Sequence, residues 1–205
     1  MDKHAVLIRK IEKKDLQSVI EVHCSAFNSF FLTELGNDFL KLYYGSLLKI
    51  PDGYLFGYFI KNELLGFCAA TTQSAGFNVR LIKSRFIHFF CISLKLLFTN
   101  PKALLRLCKN FTKKSTAIND DGKYAELLSI AVNTNKQGLG IGKLLLQALE
   151  NDMQQRGCKK ISLTTDFYDN ENAIQFYKKF GYEIMYEFTA HPDRKMYRLI
   201  KDLQK

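Results

Sequence analysis

The chain has 205 residues, of which 47% are hydrophobic and 24% are charged, with 12 glycines and 3 prolines. This composition excludes a disordered, collagen-like or low-complexity protein, and the length suits one domain, 1–205, with a sizeable core. The formal net charge is +10, but the excess is local, because residues 80–118 contain nine basic residues and no acidic one. Any function must therefore account for a basic, phenylalanine-rich segment in the middle of the chain.

Five cysteines lie far apart in the sequence and form no pair with histidines at zinc-binding spacing. They are typical of reduced thiols in a cytosolic protein, so we expect a cytoplasmic location and no metal. The apolar stretch near the N-terminus is too short for a signal peptide. Residues 86–94 form an uncharged run of nine residues, well short of the roughly 18 that cross a bilayer.

Apolar spacing in the first half of the chain predicts alternating strands and helices. The predicted elements are a strand at 5–8, a helix at 15–27 capped by Asp15, a helix that is capped by Thr33 and ends before 51, and strands at 54–60 and 64–72. The two strands should form a hairpin, because a short polar turn separates them. The basic segment should form two helices divided at Asn100 and Pro101, since proline suits a first helical turn.

The second half of the chain continues with strands and helices in alternation. The predicted elements are a strand at 124–132, a helix at 140–156, a strand at 161–165, a helix at 170–180 and closing strands at 182–188 and 195–200. This order predicts an α/β domain whose mixed sheet is covered by helices on both faces.

A glycine-rich turn, Gln137-Gly138-Leu139-Gly140-Ile141-Gly142, joins the strand at 124–132 to the following helix. Glycines let backbone N–H groups approach an anion, and a helix start adds unpaired donors and the positive end of its dipole. Because Lys143 is followed by leucine, the turn is not a Walker loop. The pattern predicts a phosphate cradle, with an ordinary helix-entry turn as the alternative.

A second block, residues 170–182, follows the next predicted strand. It contains Asn170, Ala173, Phe176, Tyr177, Gly181 and Tyr182 at a characteristic spacing, and the turn before it contains Gln137, Gly140 and Gly142. On these residues the two blocks together resemble the GNAT superfamily of acyl-CoA-dependent N-acyltransferases. The resemblance implies a GNAT fold: a mixed, mostly antiparallel sheet with splayed central strands, helices on both faces, and a helical insertion at about 80–118 between the third and fourth strands.

The resemblance also implies a binding site for acyl-CoA, as acetyl-CoA or a short-chain acyl-CoA, and no metal. The residues expected to hold this cosubstrate are Ile130, Ala131 and Val132 for the pantetheine arm, Gln137, Gly138, Leu139, Gly140, Ile141, Gly142 and Lys143 for the pyrophosphate, and Asn170, Ala173 and Tyr177 near the thioester. Tyr177 matches the hydroxyl that protonates the leaving thiolate as a general acid. A core aromatic is its alternative interpretation.

An attacking ammonium must lose a proton, and Glu126 is the candidate base. It lies six residues before Val132, where histone-acetylating members of the superfamily carry a glutamate. Strand alternation would place residues 126, 128 and 130 on one face if no bulge intervenes. An exposed strand-end charge is the alternative interpretation, and Asp166, His88 and His191 are further candidates for the base.

The acceptor is not fixed by the superfamily. Basic residues interleaved with phenylalanines would suit an anionic acceptor with a stackable base. The segments 32–45, 65–67 and 125–132 also resemble GNAT members found in surface-polysaccharide synthesis, including N-acyltransferases acting on nucleotide-linked amino sugars. We therefore expect a nucleotide-linked amino sugar as the acceptor. The alternatives are a protein or peptide N-acetyltransferase and a non-catalytic basic binding module, although no nucleic-acid motif is present. The segment could also touch an anionic membrane surface or form a solvated face, and the protein could be a monomer or a homodimer.

Overall fold

A computed structural model describes residues 6–28, 30–112 and 120–204. In that part of the chain, seven strands form one mixed sheet in the order β1-β2-β3-β4-β5-β7-β6. The strands are β1 (Val6–Lys10), β2 (Gly53–Ile60), β3 (Glu63–Thr71), β4 (Ala125–Val132), β5 (Lys160–Asp166), β6 (Glu183–Ala190) and β7 (Arg194–Asp202). The β4 and β5 strands run parallel, while the other neighbouring pairs are antiparallel. The predicted α/β class and mixed sheet are confirmed.

Helices cover both faces of the sheet. They are α1 (Leu16–Ala26), α2 (Phe31–Glu34), α3 (Asn37–Leu47), α4 (Phe77–Ser84), α5 (Phe86–Thr99), α6 (Pro101–Thr112), α7 (Ile141–Gln155) and α8 (Glu171–Lys179). One face of the sheet packs its apolar side chains against α1, α3 and the insertion formed by α4, α5 and α6. The opposite face packs against α7 and α8. The sheet therefore separates two apolar clusters, and a gap between strands would connect its two sides.

The region between α1 and β2 departs from the prediction. Thr33 does not cap a helix: it lies inside the short α2, and its hydroxyl donates to the carbonyl of Phe27 at 2.6 Å. Gly36 then takes a left-handed conformation with φ of 86°, and α3 begins at the next residue. Because a left-handed residue cannot continue an α-helix, glycine divides the predicted helix in two.

The start of α1 also differs from the expected capping geometry. Asp15 precedes the helix, but its side chain caps none of the first turn of α1. The carboxylate instead accepts hydrogen bonds from the backbone N–H of Glu12 at 2.9 Å and from Arg9 at 2.7 Å. Asp15 thus ties β1 to the turn before α1.

The basic segment forms helices that divide at the predicted place. Asn100 accepts a hydrogen bond from the backbone N–H of Ala103 through its side-chain oxygen, at 3.2 Å, and so caps α6. The first helix predicted for the segment is itself interrupted at Arg85, whose φ of −145° and ψ of 44° are not helical, so that α4 and α5 replace one helix. Lys113 and Lys114, which belong to the predicted basic segment, lie outside the described residues.

Candidate active site

The parallel pair at the centre of the sheet is incomplete. Register pairs join Ala125–Leu127 of β4 to Ile161–Leu163 of β5, although β4 continues to Val132 and β5 to Asp166. Beyond these pairs the strands separate, so the β5-facing backbone groups of β4 have no strand partner. A cavity of about 340 Å³ occupies the gap and reaches α1, α2, α8 and β7. The separation matches the expected splay of the central strands.

The structure brings several of the sequence-predicted residues to this cavity. Ile130, Asn170, Ala173 and Tyr177 line it, together with Asp166. The glycine turn and the side chains of Ala131 and Val132 are not among the lining residues. A 3-10 turn, Thr134–Lys136, joins β4 to the glycine turn, which therefore lies beyond the carboxyl end of that strand.

The glycine turn has the backbone geometry that its sequence predicts. Gly138 and Gly140 have left-handed conformations, with φ of 79° and 78°, and Gly140 is the N-cap of α7. The first intrahelical bond of α7 runs from the N–H of Leu144 to the carbonyl of Gly140 at 3.1 Å. The preceding N–H groups are left for solvent or an anion at the positive end of a 15-residue helix.

Tyr177 and Asn170 are positioned by the helix that follows β5. The Tyr177 side chain is 8% exposed, and its ring packs 5.6 Å from that of Tyr182. Burial raises the pKa of the Tyr177 phenol well above its ordinary value, so the hydroxyl carries its proton at neutral pH. The side-chain nitrogen of Asn170 donates to the hydroxyl of Thr165 at 2.5 Å, which fixes the start of α8 against β5.

Glu126 belongs to a polar cluster at the start of β4. Its carboxylate accepts hydrogen bonds from Arg198 at 3.0 Å and from the hydroxyl of Ser74 at 2.5 Å. Arg198 also donates to Ser162 at 3.1 Å and lies 3.8 Å from the carboxylate of Asp120. Glu126 is not among the residues that line the cavity.

A bulge in β4 changes the face that Glu126 occupies. Ser129 pairs with Ala69 of β3, but the next residue of β3 pairs with Leu127, so Leu128 is an extra residue. Glu126 therefore shares a face with Ser129, while Ile130 packs on the opposite face. Residues 126, 128 and 130 therefore do not share one face, because the regular strand on which that expectation depended is interrupted by the bulge.

His23 is a site residue that the sequence reasoning did not select. It is 2% exposed, lines the cavity, and places Nδ1 at 2.7 Å from the hydroxyl of Tyr44. Its Nε2 is buried, with no hydrogen-bond partner among the described residues. Burial lowers the pKa of His23 to about 4, so the imidazole is neutral near pH 7. The signal was available, since residue 23 continues the apolar spacing of Leu16, Val19 and Ile20 on α1.

The other candidate bases lie in different surroundings. Asp166 forms an ion pair with Arg194, and the Arg194 guanidinium lies 5.3 Å from the ring centre of Phe30. His88 is exposed on α5, away from the cavity-lining residues, and His191 follows β6. Within the described parts of the chain, no group of three or more metal-ligating side chains is found.

The insertion packs against α3 and does not reach the cavity. No described residue of 80–112 lines it. Several of its cations instead pair with acids elsewhere in the domain: Arg80 with Asp52, Lys95 with Asp38, and Arg106 with Glu34. The expectation that this segment borders the acceptor cleft therefore finds no direct contact among the described residues. An indirect contact exists, because Arg106 also lies over the ring of the cavity residue Phe31, at 4.7 Å.

Comparison with known families defines the class of this protein. The model of the acetyltransferase (GNAT) family matches residues 16–182. The chain therefore belongs to the GNAT acetyltransferase family, and the resemblance of the two sequence blocks is confirmed. The family uses acetyl-CoA as its acyl donor.

A curated relative, the uncharacterized protein YdhI of Bacillus subtilis (strain 168), is 41% identical over 63 residues. The match spans 31% of this chain and 38% of the length of that relative.

No helix in the described ranges is long and apolar enough to cross a membrane.

Solved structures share the fold at low identity. The ribosomal-protein-S18-alanine N-acetyltransferase from Escherichia coli is 14% identical with a TM-score of 0.62, covering 97% of this chain and 94% of that one. The PaiA N-acetyltransferase from Thermoplasma acidophilum in complex with coenzyme A is 17% identical with a TM-score of 0.57, covering 97% of this chain and 99% of that one. These likenesses establish the fold.

Proposed function

We propose that this protein is an N-acyltransferase that moves an acyl group from acyl-CoA to a primary amine by direct attack. The observation that carries the proposal is the cavity in the gap between β4 and β5, with Tyr177 on its wall. The glycine turn that follows β4 supplies the anion-binding N–H groups expected for the pyrophosphate. Family membership supports the same reaction class.

The proposed roles follow the separation of the strands. The backbone of residues 130–132, which lacks a β5 partner, would pair with the pantetheine arm, and one of its N–H groups would hold the oxyanion. N–H groups of residues 138–143 would hold the pyrophosphate. Asn170 and Ala173 would border the arm on the α8 side.

Tyr177 is the proposed general acid. The amine nitrogen forms a bond to the thioester carbon, the carbon–sulfur bond breaks, and the Tyr177 hydroxyl gives its proton to the thiolate. A buried phenol with a raised pKa holds that proton until the sulfur develops charge. The phenolate then recovers a proton from solvent, which balances the proton that the attacking amine loses.

Glu126 is the proposed acceptor of the amine proton. It shares a face of β4 with the cavity residue Ser129, and Arg198 and Ser74 fix its carboxylate. Glu126→Gln should lower kcat/KM mainly on the acidic side of the pH profile, where the amine needs help to lose its proton. Glu150→Gln is the matched control, because it neutralises another poorly exposed carboxylate that pairs with a cation, Lys201, and does not line the cavity. A Glu126→Gln profile parallel to that of the parent protein would leave Glu126 a structural partner of Arg198.

For the acceptor we propose a nucleotide-linked amino sugar. Arg194 and the aromatic ring of Phe30, both on the cavity wall, offer a cation and a stacking surface to such a molecule. The cavity wall, and not the insertion, would then recognise the nucleotide. Protein and peptide amines form the competing acceptor class, since the shared fold also serves a ribosomal-protein acetyltransferase.

The test is a thiol-release assay with acetyl-CoA and longer acyl-CoAs. The acceptor panel should hold nucleotide-linked amino sugars, free amino sugars, peptides with free N-termini and aminoglycosides. Turnover with the nucleotide-linked sugars, reduced in Arg194→Ala, is the expected result. Turnover confined to peptides would overturn the sugar proposal, and failure of calorimetry to detect coenzyme A binding would overturn the enzyme proposal.

A further inference from the structure

The insertion carries an exposed apolar surface that the proposed reaction does not use. Six large apolar side chains of α5 are between 49% and 81% exposed. We define this set as the α5 face, and its members are Phe86, Ile87, Phe90, Leu94, Leu97 and Phe98. Soluble proteins seldom leave contiguous apolar surface of this kind uncovered, so a partner is expected.

The helical positions of these side chains place them together. At about 100° per residue they fall within an arc of about 120°, from Phe86 to Phe98. The buried residues Phe89 and Leu96 lie outside this arc and hold α5 against the domain. The α5 helix is therefore apolar both toward the core and away from it. Such a helix is normally covered on all sides.

The charge around the α5 face favours an anionic partner. The segment 80–118 contains nine basic residues and no acidic one. Some of these cations are engaged by acids of the domain, but Lys83 and Lys102, on the neighbouring helices α4 and α6, are exposed. An exposed apolar face in a segment that is rich in lysine and arginine and free of acids is the pattern of a helix that lies in the headgroup region of an anionic bilayer.

Two other occupants fit the charges less well. A symmetric contact with a second copy would bring two acid-free basic segments together, and their like charges would repel. Nucleic acid is bound mainly through phosphate contacts from polar and basic side chains, which leaves the six apolar side chains of the α5 face unused.

We propose that the α5 face docks the protein peripherally on an anionic lipid surface. The helix has 14 residues, about 21 Å at 1.5 Å per residue, which is shorter than the roughly 30 Å hydrocarbon core. It therefore lies along the interface, with the phenylalanines among the acyl chains and the lysines at the headgroups. The proposal requires no catalytic activity and does not depend on the proposed reaction.

The test is co-sedimentation of the full chain with vesicles of phosphatidylcholine, with and without phosphatidylserine. The protein should bind the phosphatidylserine vesicles, and added salt should weaken the binding, because screening reduces the lysine contribution. The double variant Ile87→Ser with Phe98→Ser should bind at least about 10-fold less, since it loses two of the most exposed apolar side chains of the face. The double variant Lys83→Glu with Lys102→Glu should lose the preference for phosphatidylserine.

Leu7→Ser is the matched control, because Leu7 is 50% exposed on β1 at the edge of the sheet. It should bind vesicles like the parent protein, and every variant should keep the parent circular dichroism and coenzyme A affinity. If both double variants co-sedimented with the vesicles as well as the parent protein does, the proposal would be overturned. So would a stable dimer in solution that the Ile87→Ser, Phe98→Ser variant disperses, since a second copy would then be the occupant.

Discussion

The proposed cosubstrate side of the molecule, which comprises the glycine turn, α7 and α8, differs from the insertion in where its apolar side chains and its ligand-binding groups lie. The helices α7 and α8 bury the apolar side chains that face the sheet, although Leu144 is 40% exposed on the outer side of α7. The groups available to a ligand there are backbone N–H donors and a few fixed side chains such as Tyr177. In the insertion, α5 exposes apolar side chains and several cations are paired with acids of the domain. The groups around α7 and α8 suit the binding of one ligand in one geometry, whereas the exposed α5 face suits contact with a broad surface.

The largest expected effect falls on the cosubstrate side. Tyr177→Phe removes the proposed acid and leaves the buried ring in place, so kcat should fall by at least about 100-fold. The affinity for acetyl-CoA and the free energy of unfolding should change little. Single-turnover kinetics measure the chemical step directly. An unchanged rate there would remove the acid role from Tyr177.

Two neighbouring leucines of α5 test which side of this helix is buried and which is exposed. Leu96 is 6% exposed and Leu97 is 51% exposed. Leu96→Ala should lower the free energy of unfolding by about 2 to 5 kcal/mol, because it empties a packed position. Leu97→Ala should change it by less than about 0.5 kcal/mol. Urea unfolding of both variants checks the difference, and equal losses would contradict the outward orientation of the α5 face.

The lowered pKa of His23 should make the free energy of unfolding depend on pH. Its pKa is lowered by burial from 6.5 to about 4, so between these values the unfolded chain takes up a proton that the native state does not. Its contribution is fully present above pH 6.5 and is lost as the pH falls toward 4, on the order of 3 kcal/mol. His23→Gln should show a shallower loss in urea unfolding across this window. Identical slopes would show that the imidazole is solvated.

Alanine substitutions of two glycines at opposite ends of α7 distinguish the cost of backbone strain from a loss of acetyl-CoA binding. Gly140 and Gly157 have left-handed φ values of 78° and 80°, and an added Cβ would meet no atom within 4 Å at either position. Alanine at either should cost about 1 to 2 kcal/mol of stability through backbone strain. Only Gly140→Ala should weaken acetyl-CoA binding, by about 10-fold, as measured by calorimetry. If the two variants bound acetyl-CoA with equal affinity, the glycine turn would not be part of the acetyl-CoA site.

The sequence predicted the fold best where local chemistry decides it. Gly140 and Gly157 bound α7, because a left-handed φ suits glycine better than any other residue. Asn100 and Pro101 divided the insertion for a similarly local reason. The bulge at Leu128 carries no comparable local signal, since it depends on how β4 pairs with β3.

The same distinction applies to the site. Ile130, Asn170, Ala173 and Tyr177 were found from motif spacing, and the structure places them on one cavity. His23 was missed because its importance depends on Tyr44, which lies 21 positions away in the sequence. The contacts of Glu126 with Ser74 and Arg198 were equally invisible, because they join distant segments.

The short pairing between β4 and β5 has a mechanical consequence. Three register pairs connect a four-stranded half of the sheet, β1 to β4, with a three-stranded half formed by β5, β7 and β6. Such a seam resists twisting less than the fully paired strands on either side of it. A ligand whose amides formed hydrogen bonds with the backbone of β4 would restrain the part of this strand that has no β5 partner. Hydrogen exchange at residues 129–132 should therefore slow when acetyl-CoA is added. The molecule would then be stiffest while it holds the substrate that it consumes.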